Sequence, residues 1–421
     1  MALKAYYIIC GKFFDGVHEE LKENIKIIVE GNRIKEVGEN LVKPSDAEVI
    51  DLSDLTVTPG MIDSHVHFEF MDFTFNEFAA TDSDEMKALN LVHNCNESLM
   101  KGFTSIRTTG TAFMGFGAID VKRAIEKGMF SASRLLVAPH ALGIPGGHWD
   151  FSMFLSGGSY PELSDFMEQK NACGCGPDDF RRLVRKQVKY GADFIKIMAC
   201  GGFASPKDDP GYAQLDEEEI EAIIHTAKIL GVPVMAHAYT SDVIDMLIKH
   251  GVSEIEHGTL MQEHTAKLLE ENQIPLVPTI YCTTGDPRID PKTLPPRAPA
   301  YQRKLNKYKK QLDESRKIIC KLIMEHKVPV GLGSDIVAGM KNTDSWCEFQ
   351  AWRNMGIPAL RTLVAGTSDN AKICGFKDLG EIAPGKIADI AAWHRDIIND
   401  YDALSECSFV MMEGKVYKQH K

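Results

Sequence analysis

The chain of 421 residues contains no apolar run near the roughly 18 residues that a membrane-spanning helix requires. Its first residues, MALKAYYIICGKFFDG, hold too short an apolar run for a secretory signal, so we expect a cytoplasmic protein. An excess of basic charge is also missing, because 47 Lys and Arg stand against 59 Asp and Glu and leave a net charge of −12. Since a nucleic-acid binder must neutralise phosphates, this balance argues against one.

The ten cysteines lack the close spacing of a disulfide-stabilised domain. Most stand alone in apolar surroundings, as Cys200 and Cys282 do, which is typical of reduced residues in a core. The exception is the segment CGCG, with Cys173 and Cys175. A metal site there would need further Cys or His nearby in the sequence, and none follows, so ordinary thiols are favoured.

The composition, with 44% hydrophobic and 25% charged residues, indicates a globular protein with one large domain and a smaller one. Residues 1–60 carry short alternating apolar runs broken by Gly and Asn, and this pattern returns from residue 377. We therefore expect a small β-sandwich domain built from residues 1–60 and 377–421. Residues 61–376 alternate β-branched apolar runs with amphipathic segments, which predicts β/α units around a parallel sheet.

Eight apolar runs in the middle part are predicted strands: GMIDSHVHF, TSIRTTG, RLLVAPH, DFIKIMA, VPVMAHA, SEIEHG, IPLVPTI and VPVGLGSD. Amphipathic segments, several of which end in Gly, lie between them and predict helices. Eight strand-helix units favour a (β/α)₈ TIM barrel over an open doubly wound sheet. In addition, the basic run 301–317 predicts a solvated helix face, and SWCE at 345–348 has the form of a capping box.

Two histidines stand one residue apart in MIDSHVHFEF, directly after a Pro-Gly turn. Because residues i and i+2 of a strand share one face, the imidazoles of His65 and His67 lie close together and are able to bind one metal ion. Two hydrogen-bonded histidines at a strand edge would give the same pattern. The pair alone does not decide between these interpretations.

Polar residues able to bind metal occur in or at the ends of several other predicted strands. In a barrel, the active site forms at the carboxyl ends of the strands. Each residue alone has an ordinary explanation, such as a loop histidine or a helix cap, but their joint occurrence predicts a metal site. The candidate ligands are His65, His67, Lys196, His237, His257 and Asp335.

Lys196 lies among apolar residues in ADFIKIMAC. Burial of a lone ammonium is costly and lowers its pKa, which leaves a nucleophilic amine. Reaction with carbon dioxide would turn this amine into a carbamate whose two oxygens bridge two cations. A buried ion pair with Asp193, or with another aspartate, is the alternative.

The motifs together resemble the amidohydrolase superfamily. The resemblance covers nearly the whole chain, from TPGMIDSHVHF through GFTSIRTTG, GGHWD, YGADFIKIMACGG, VPVMAHA, IEHG and GLGSD to LGEIAPGKIADI. Within the superfamily, the sequence is most similar to the imidazolonepropionase-related metal-dependent dipeptidases, which are described as Xaa-Pro or Xaa-Arg/Lys dipeptidases.

The resemblance implies a binuclear site. One metal, the more buried, would be held by His65, His67 and Asp335, and the other by His237 and His257. Carboxylated Lys196 and a hydroxide would bridge the two ions. We expect zinc, although manganese, cobalt and iron also suit these ligands.

The expected chemistry follows from the charge of the metal ions. Two divalent ions lower the pKa of the water between them, so hydroxide exists at neutral pH and attacks a polarised carbonyl. Asp335 would accept the proton and pass it to the leaving amine. In the similar dipeptidases, the positions of His148 and Tyr239 contact the substrate. An ordinary loop histidine and a tyrosine in the pocket wall are the alternatives.

The sequence departs from the family pattern at two places. Arg107 is followed by Thr108 where the similar enzymes commonly have Asp, and His148 is followed by Trp149 where Gly is frequent. A bulky indole beside His148 would shrink the pocket, which bears on the substrate more than on the chemistry. The long loop 201–216 is a candidate lid, and Lys207 within it would either attract a carboxylate or be simply solvated.

These features predict a metal-dependent amidohydrolase that cleaves an amide C–N bond of a small carboxylate-bearing molecule, either a dipeptide or an N-acyl amino acid. The same site would suit a cyclic amide or imidazolone, a phenylurea or carbamate, or an ochratoxin-like amide-linked toxin. A non-catalytic scaffold is the third hypothesis, but loss of ligands would be its mark and all six positions are occupied. We expect a small-molecule partner, no nucleic acid, no membrane contact, and self-association into a homo-oligomer.

Overall fold

The computed structural model describes residues 4–69, 82–112, 114–150, 172–205, 207–284, 298–336, 341–400 and 402–419. Its strands, numbered along the chain, are β1 (Ala5–Phe13), β2 (Lys22–Glu23), β3 (Lys26–Glu30), β4 (Arg33–Gly38), β5 (Glu48–Pro59), β6 (Met61–Val66), β7 (Phe103–Thr109), β8 (Arg134–Ala138), β9 (Ala141–Leu142), β10 (Ile195–Met198), β11 (Val234–Thr240), β12 (Glu254–Leu260), β13 (Leu276–Val277), β14 (Ile390–Trp393), β15 (Cys407–Met412) and β16 (Lys415–Gln419).

The helices in the same order are α1 (Asp84–Met100), α2 (Gly117–Glu126), α3 (Pro177–Tyr190), α4 (Glu217–Ile229), α5 (Ser241–His250), α6 (Glu263–Asn272), α7 (Ile280–Thr284), α8 (Ala298–Glu325), α9 (Trp346–Asn354), α10 (Ala359–Val364) and α11 (Asn370–Ile373). A π-helical segment, Ala365–Asp369, joins α10 to α11, and a short 3₁₀ turn covers Ala403–Ser405. None of the helices in the described ranges is long and apolar enough to cross a bilayer.

Strands from both ends of the chain form one sheet. Its order is β16-β15-β14-β5-β1-β3-β4, with β2 paired to β1. The junction between the two ends is antiparallel pairing of β14 with β5, in which Ile390 lies opposite Pro59. Alternate side chains such as Ile8, Ile27 and Ile50 are buried in a separate apolar core on this sheet. The complete sheet therefore needs strands from both the first and the last described parts of the chain.

The middle of the chain forms two parallel sheets. One has the order β13-β12-β11-β10-β9 and the other β6-β7-β8. Backbone hydrogen bonds connect them, since Asp193 N donates to Val137 O at 2.9 Å on one side and Ser64 N donates to Leu332 O at 3.0 Å on the other. The α/β architecture follows from apolar strands that are buried on both faces and covered by amphipathic helices.

The eighth predicted strand, residues 328–335, makes only an isolated parallel bridge, from Val330 to Leu276. Each of the other predicted runs contains a strand, and the two-residue β9 was not predicted. The Asn370 side chain instead connects residues 328–335 to β6 by hydrogen bonds. Its Nδ2 donates to Ile62 O at 2.6 Å and to Leu332 O at 2.7 Å, and its Oδ1 accepts from Leu332 N at 3.0 Å. A single amide thus joins the segment to β6.

The capping box predicted at residues 345–348 was wrong. Ser345 makes no side-chain capping bond to α9. The Glu348 carboxylate turns inward instead, where it accepts hydrogen bonds from the backbone of Ile280 at 2.8 Å and Tyr281 at 2.7 Å, and from Trp352 Nε1 at 2.7 Å. The first amides of α7 have no acceptor within their own helix, so they need the Glu348 carboxylate. Glu348 therefore binds these amides and does not cap α9.

The basic run 301–317 lies within α8, and its two faces differ. Residues such as Lys309 and Lys310 are exposed, as predicted for a solvated face. The opposite face, with Lys304, Leu312 and Ser315, is buried against the carboxyl ends of the parallel strands. All ten cysteines lie within the described residues and are free thiols.

Candidate metal centre

Two histidines and a carboxylate converge beyond the end of β6. His65 Nε2 and His67 Nε2 each lie 3.5 Å from Asp335 Oδ1. The donor atoms of these three buried residues are all within 4.8 Å of one another. Three of the predicted ligands, which are up to 270 positions apart in sequence, therefore share one point in space.

Asp63 holds the backbone on both sides of this point. Its Oδ1 accepts hydrogen bonds from His65 N and from Ser334 N, each at 3.0 Å. The backbone N of Asp335 also donates to His65 O at 2.9 Å. The relative position of the histidine strand and the aspartate segment is thus set by buried hydrogen bonds to the main chain.

His257 and Asp335 have left-handed backbone conformations, which direct their side chains into the cluster. The φ angle is 73° at His257 and 40° at Asp335, values that non-glycine residues rarely adopt. In a regular strand, His257 would point to the face opposite Glu256. Both instead face the interior, where His65, Glu256 and His257 offer donor atoms within 4.8 Å of one another. Such conformations persist where the surrounding structure enforces them, and they cluster at functional sites.

His237, at the end of β11, completes the group of imidazoles. Its ring centroid lies 4.5 Å from that of His257, and the His257 ring lies 5.4 Å from that of His65. His257 Nδ1 is 4.0 Å from Asp335 Oδ2. The four predicted histidines and Asp335 therefore form one buried cluster.

Hydrogen bonds at the rear of three imidazoles determine which ring nitrogen faces the cluster. His67 Nδ1 donates to Gly110 O at 3.0 Å, and His237 Nε2 donates to Gly201 O at 3.2 Å. His257 Nδ1 lies 2.6 Å from the hydroxyl of Thr279. The nitrogens left over are Nε2 of His67, Nδ1 of His237 and Nε2 of His257. Metal-binding histidines are typically oriented in this way.

Burial keeps these imidazoles neutral. It lowers the pKa of His67 to about 3, and it lowers the pKa of His65, His237 and His257 well below the ordinary value. The positive charge of Lys196 adds to the effect. A neutral imidazole is the form that donates a lone pair to a metal.

Lys196, in β10, is buried in contact with the carboxylate of Glu256. Asp193 is not its partner, because Asp193 accepts from Lys122 Nζ at 2.5 Å and from Val137 N at 2.8 Å. Burial lowers the pKa of the Lys196 amine and raises that of the Asp335 carboxyl, while the attraction between the two opposes both shifts. The amine is therefore easier to deprotonate than an exposed lysine.

A second buried ion pair lies beneath the cluster. The Arg107 guanidinium forms a bidentate contact with Glu254 and donates from Nε to Ser64 O at 2.6 Å. Its NH2 group is also 3.6 Å from Glu256 Oε1. The Arg-Thr sequence that departs from the family pattern therefore carries an arginine whose charge is matched by the two carboxylates of β12.

The residues present fit a bound cation. Lys196 is buried in contact with Glu256, and His65 Nδ1 lies 3.3 Å from Glu256 Oε1. His65, Glu256 and His257 place donor atoms within 4.8 Å of one another, as His65, His67 and Asp335 do. Neutral imidazole and carboxylate donors are those that Zn²⁺ and similar divalent ions prefer.

The predicted substrate residues border the imidazoles. The His148 ring stacks on His237 with centroids 4.5 Å apart, and Tyr239 stacks on His257 at 5.0 Å. The indole of Trp149 lies 4.8 Å from the ring of His67. Trp149 therefore contacts one of the imidazoles, and its effect on the width of the pocket stays a prediction. Lys207 is exposed.

Glu254 and Glu256 were not among the predicted site residues. The signal was present in SEIEHG, where two carboxylates at i and i+2 of an apolar strand share one face. Because buried carboxylates need partners, this spacing predicts a pair of charges in the interior. The left-handed turn at His257, which adds the histidine to the same side, has no comparable signal in the sequence.

Residues 56–417 match the model of the amidohydrolase family. The chain belongs to the amidohydrolase family. This amidohydrolase is 30% identical to the ochratoxinase of Aspergillus niger over 233 residues, which cover 52% of this chain and 47% of that protein. The chain thus spans about half the length of this curated relative.

Solved structures resemble the amidohydrolase over almost its full length. A Xaa-Pro dipeptidase with methionine bound in its active site superposes with a TM-score of 0.82 at 28% identity, covering 99% of this chain and 100% of that one. A prolidase complexed with N-methylphosphonate-L-proline gives a TM-score of 0.83 at 29% identity, with the same coverage.

Proposed function

We propose that this amidohydrolase is a metal-dependent hydrolase of amide C–N bonds, acting on a small carboxylate-bearing substrate such as a dipeptide or an N-acyl amino acid. The observation that carries the proposal is the buried cluster of four imidazoles with Asp335 and Lys196. The proposal takes the two parallel sheets as one (β/α)₈ barrel, supported by the hydrogen bonds that link both pairs of edges.

In this proposal, two divalent ions, with zinc as the expected metal, occupy the cluster. His65, His67 and Asp335 would hold one, His237 and His257 would hold the other, and Lys196 would carry a carbamate formed with carbon dioxide. Ions in this position would lower the pKa of bound water and polarise the amide carbonyl. The lowered pKa of Lys196 supports carboxylation, because the free amine is the form that reacts with carbon dioxide.

Side chains of the protein perform the proton transfer and the orientation. Asp335 takes a proton from the attacking water and passes it to the leaving nitrogen, which must be protonated to depart. Burial raises the pKa of this carboxyl, and a raised pKa suits a group that must both accept and donate. His148 hydrogen-bonds the carbonyl oxygen as charge develops there. Tyr239 contacts the carboxylate or carbonyl of the substrate.

A dipeptide is supported by the similarity to the Xaa-Pro dipeptidase and the prolidase, whose bound ligands are an amino acid and a phosphonate derivative of proline. The similarity to ochratoxinase favours a second candidate, an amide-linked toxin of the ochratoxin type. The two substrates share an amide next to a carboxylate. They differ in the bulk of the acyl group, on which the position of Trp149 beside His67 bears directly.

The test combines metal analysis with a substrate panel. Protein purified without chelator is analysed for metals and assayed on dipeptides, N-acyl phenylalanines, a lactam and a carbamate. We expect about two divalent ions per chain and hydrolysis of dipeptides or N-acyl amino acids. His65→Ala is the matched control, since it removes a proposed ligand and should remove both metal and turnover. Full turnover of the lactam or carbamate alone would contradict the substrate class. No turnover of any compound after reconstitution with zinc and bicarbonate would contradict the function.

A further inference from the structure

The loop after β10 is organised around one carboxylate, Asp208. Its Oδ2 accepts from the backbone N of Gly202 at 3.0 Å and from Gln214 Nε2 at 3.3 Å. Its Oδ1 accepts from the Ser205 hydroxyl and from Lys304 Nζ at 3.0 Å. The side chain is 5% exposed. A buried carboxylate with four donors is a fixed element of the loop.

The same carboxylate reaches His148 through Ser205. His148 Nδ1 lies 2.6 Å from Ser205 Oγ and 3.4 Å from Asp208 Oδ2. A carboxylate oxygen only accepts, so the single hydroxyl proton of Ser205 is directed to Asp208. Ser205 Oγ must then accept from His148, which places a proton on Nδ1. Nε2 is the nitrogen left to face a substrate.

The main chain is shaped to admit this ring. A Cβ atom on Gly202 would lie 1.9 Å from His148 Cε1, so a side chain at this position would displace the imidazole. The backbone N of His148 also donates to Gln214 Oε1 at 2.9 Å. The loop thus contacts the imidazole of His148 in two ways. Ser205 contacts Nδ1, and the main chain at Gly202 lies against the ring.

Lys304 connects the arrangement to the long helix α8. Its buried ammonium donates to Gly202 O at 2.6 Å and to Ser205 O at 2.5 Å as well as to Asp208. Burial raises the pKa of the Asp208 carboxyl, but the hydrogen bonds and charges of His148, Ser205 and Lys304 outweigh burial and leave that pKa below its usual range. The carboxylate therefore stays charged and keeps all its donors.

We propose that Asp208 is a positioning residue for His148. Through Ser205 it holds the imidazole in one orientation with the proton on Nδ1, and through Lys304 it fixes that arrangement to helix α8. This inference rests on the proposed function, in which His148 hydrogen-bonds the substrate carbonyl. In this proposal, the first half of loop 201–216, which the sequence suggested as a lid, holds the side chain of His148 in position.

The variants Asp208→Asn and Ser205→Ala test the proposal in the full-length, metal-loaded protein. We expect each to lower kcat/KM by about 10- to 100-fold, mainly through kcat, because small misplacements of a catalytic donor have effects of this size. Metal content should stay at the wild-type level. Ser205→Ala removes one hydroxyl only, so it remains informative if Asp208→Asn folds poorly.

The neighbouring Asp209 offers a matched control. Asp209 also anchors the loop to α8, by contacts with Lys307 at 2.6 Å and with Tyr308, but no contact to His148 involves it. Asp209→Asn should leave kcat/KM near wild type, and it should lower thermal stability less than Asp208→Asn because its ion pair is more exposed. An equal loss of kcat/KM in both variants would reduce Asp208 to a structural role and overturn the inference.

A spectroscopic measurement does not depend on turnover. With ¹⁵N-labelled histidine, and with His148→Gln to assign the signals, wild-type His148 should show a protonated Nδ1, and Ser205→Ala should show a mixture of tautomers. An unchanged spectrum would contradict the proposal. If His148→Gln keeps wild-type kcat/KM, the role of His148 in the proposed function fails. If His148→Gln is impaired and both loop variants are not, only the role of Asp208 fails.

Discussion

Two regions of this amidohydrolase are equally buried and chemically opposite. In the sheet formed by the chain ends, Ile27 and Ile390 are 0% exposed and are surrounded by other apolar residues. At the ends of the parallel strands, Arg107 and Glu256 are also 0% exposed, and Lys196 is 1% exposed. Burial alone therefore does not distinguish the apolar core of the sheet from the candidate site. The presence of charged side chains does.

The physical consequences of burial differ in sign. Burial of an aliphatic side chain stabilises a protein by about 1.5–3 kcal/mol. Burial of an ion costs several kcal/mol, and this is offset only by well-placed partners. The terminal sheet contributes stability, and the charged centre reduces it unless its charges are matched. The following predictions test this contrast.

The largest effect is expected for Asp335→Asn. The amide keeps the shape and one donor oxygen, so most metal should remain bound, but it cannot relay a proton. We expect kcat to fall by about 10³-fold, within the range for loss of a general acid–base group. Steady-state kinetics with metal analysis of the same sample provides the measurement. A near wild-type rate would exclude the proposed role of Asp335.

Removal of metal should lower the stability of the protein, and the local loss of hydrogen-exchange protection should be confined to the charged centre. A ligand present at 1,000 times its Kd stabilises a protein by about 4 kcal/mol, so chelation should lower Tm, and added zinc should restore it. In hydrogen–deuterium exchange, amides of β6 and β12 should lose protection, and those of β1 and β3 should not. Equal loss of protection in both regions, or an unchanged Tm, would contradict the contrast.

Arg107→Met tests whether the buried ion pair is matched. It leaves Glu254 without its bidentate partner, and an unpaired buried charge typically costs about 3–5 kcal/mol. Urea unfolding gives the free energy of unfolding. The double variant Arg107→Met/Glu254→Gln is the control, because it removes both charges and should recover most of the loss. If the double variant is no more stable than the single one, packing and not charge accounts for the effect.

The smallest effect is expected in the apolar sheet. Ile27→Val removes one buried methylene group, which should lower the free energy of unfolding by about 0.5–1.5 kcal/mol. Neither kcat nor metal content should change, because the two cores are separate clusters. A measurable change in kcat would show that the regions are coupled.

The sequence predicts regular parts of this fold well, because periodicity depends on local neighbours only. Alternation in GMIDSHVHF places His65 and His67 on one face, and the helix at Pro177–Tyr190 follows from its Pro start and Gly end. The predicted ligands occupy one cluster since parallel strands present their carboxyl ends at one side. The assignment of these residues to individual metals stays a prediction.

The remaining features depend on contacts between distant parts of the chain. The pairing of Lys196 with Glu256 joins β10 to β12, and the contact of Asp208 with Lys304 joins a loop to a helix 96 residues later. Ser345 has the sequence of a cap, but the tertiary demand on Glu348 prevails. Neither periodicity nor propensity contains such information.

The amide of Asn370 has a consequence for the order in which the protein is made. It ties Ile62 to Leu332, on either side of the point where His65 and Asp335 meet. When the ribosome has made the chain as far as Asp335, every proposed ligand exists. The hydrogen bonds of Asn370 cannot form until residue 370 has also been made. The donor cluster is therefore held together by this amide only once residue 370 has been synthesised, and a metal ion that needs the whole cluster would bind after that point.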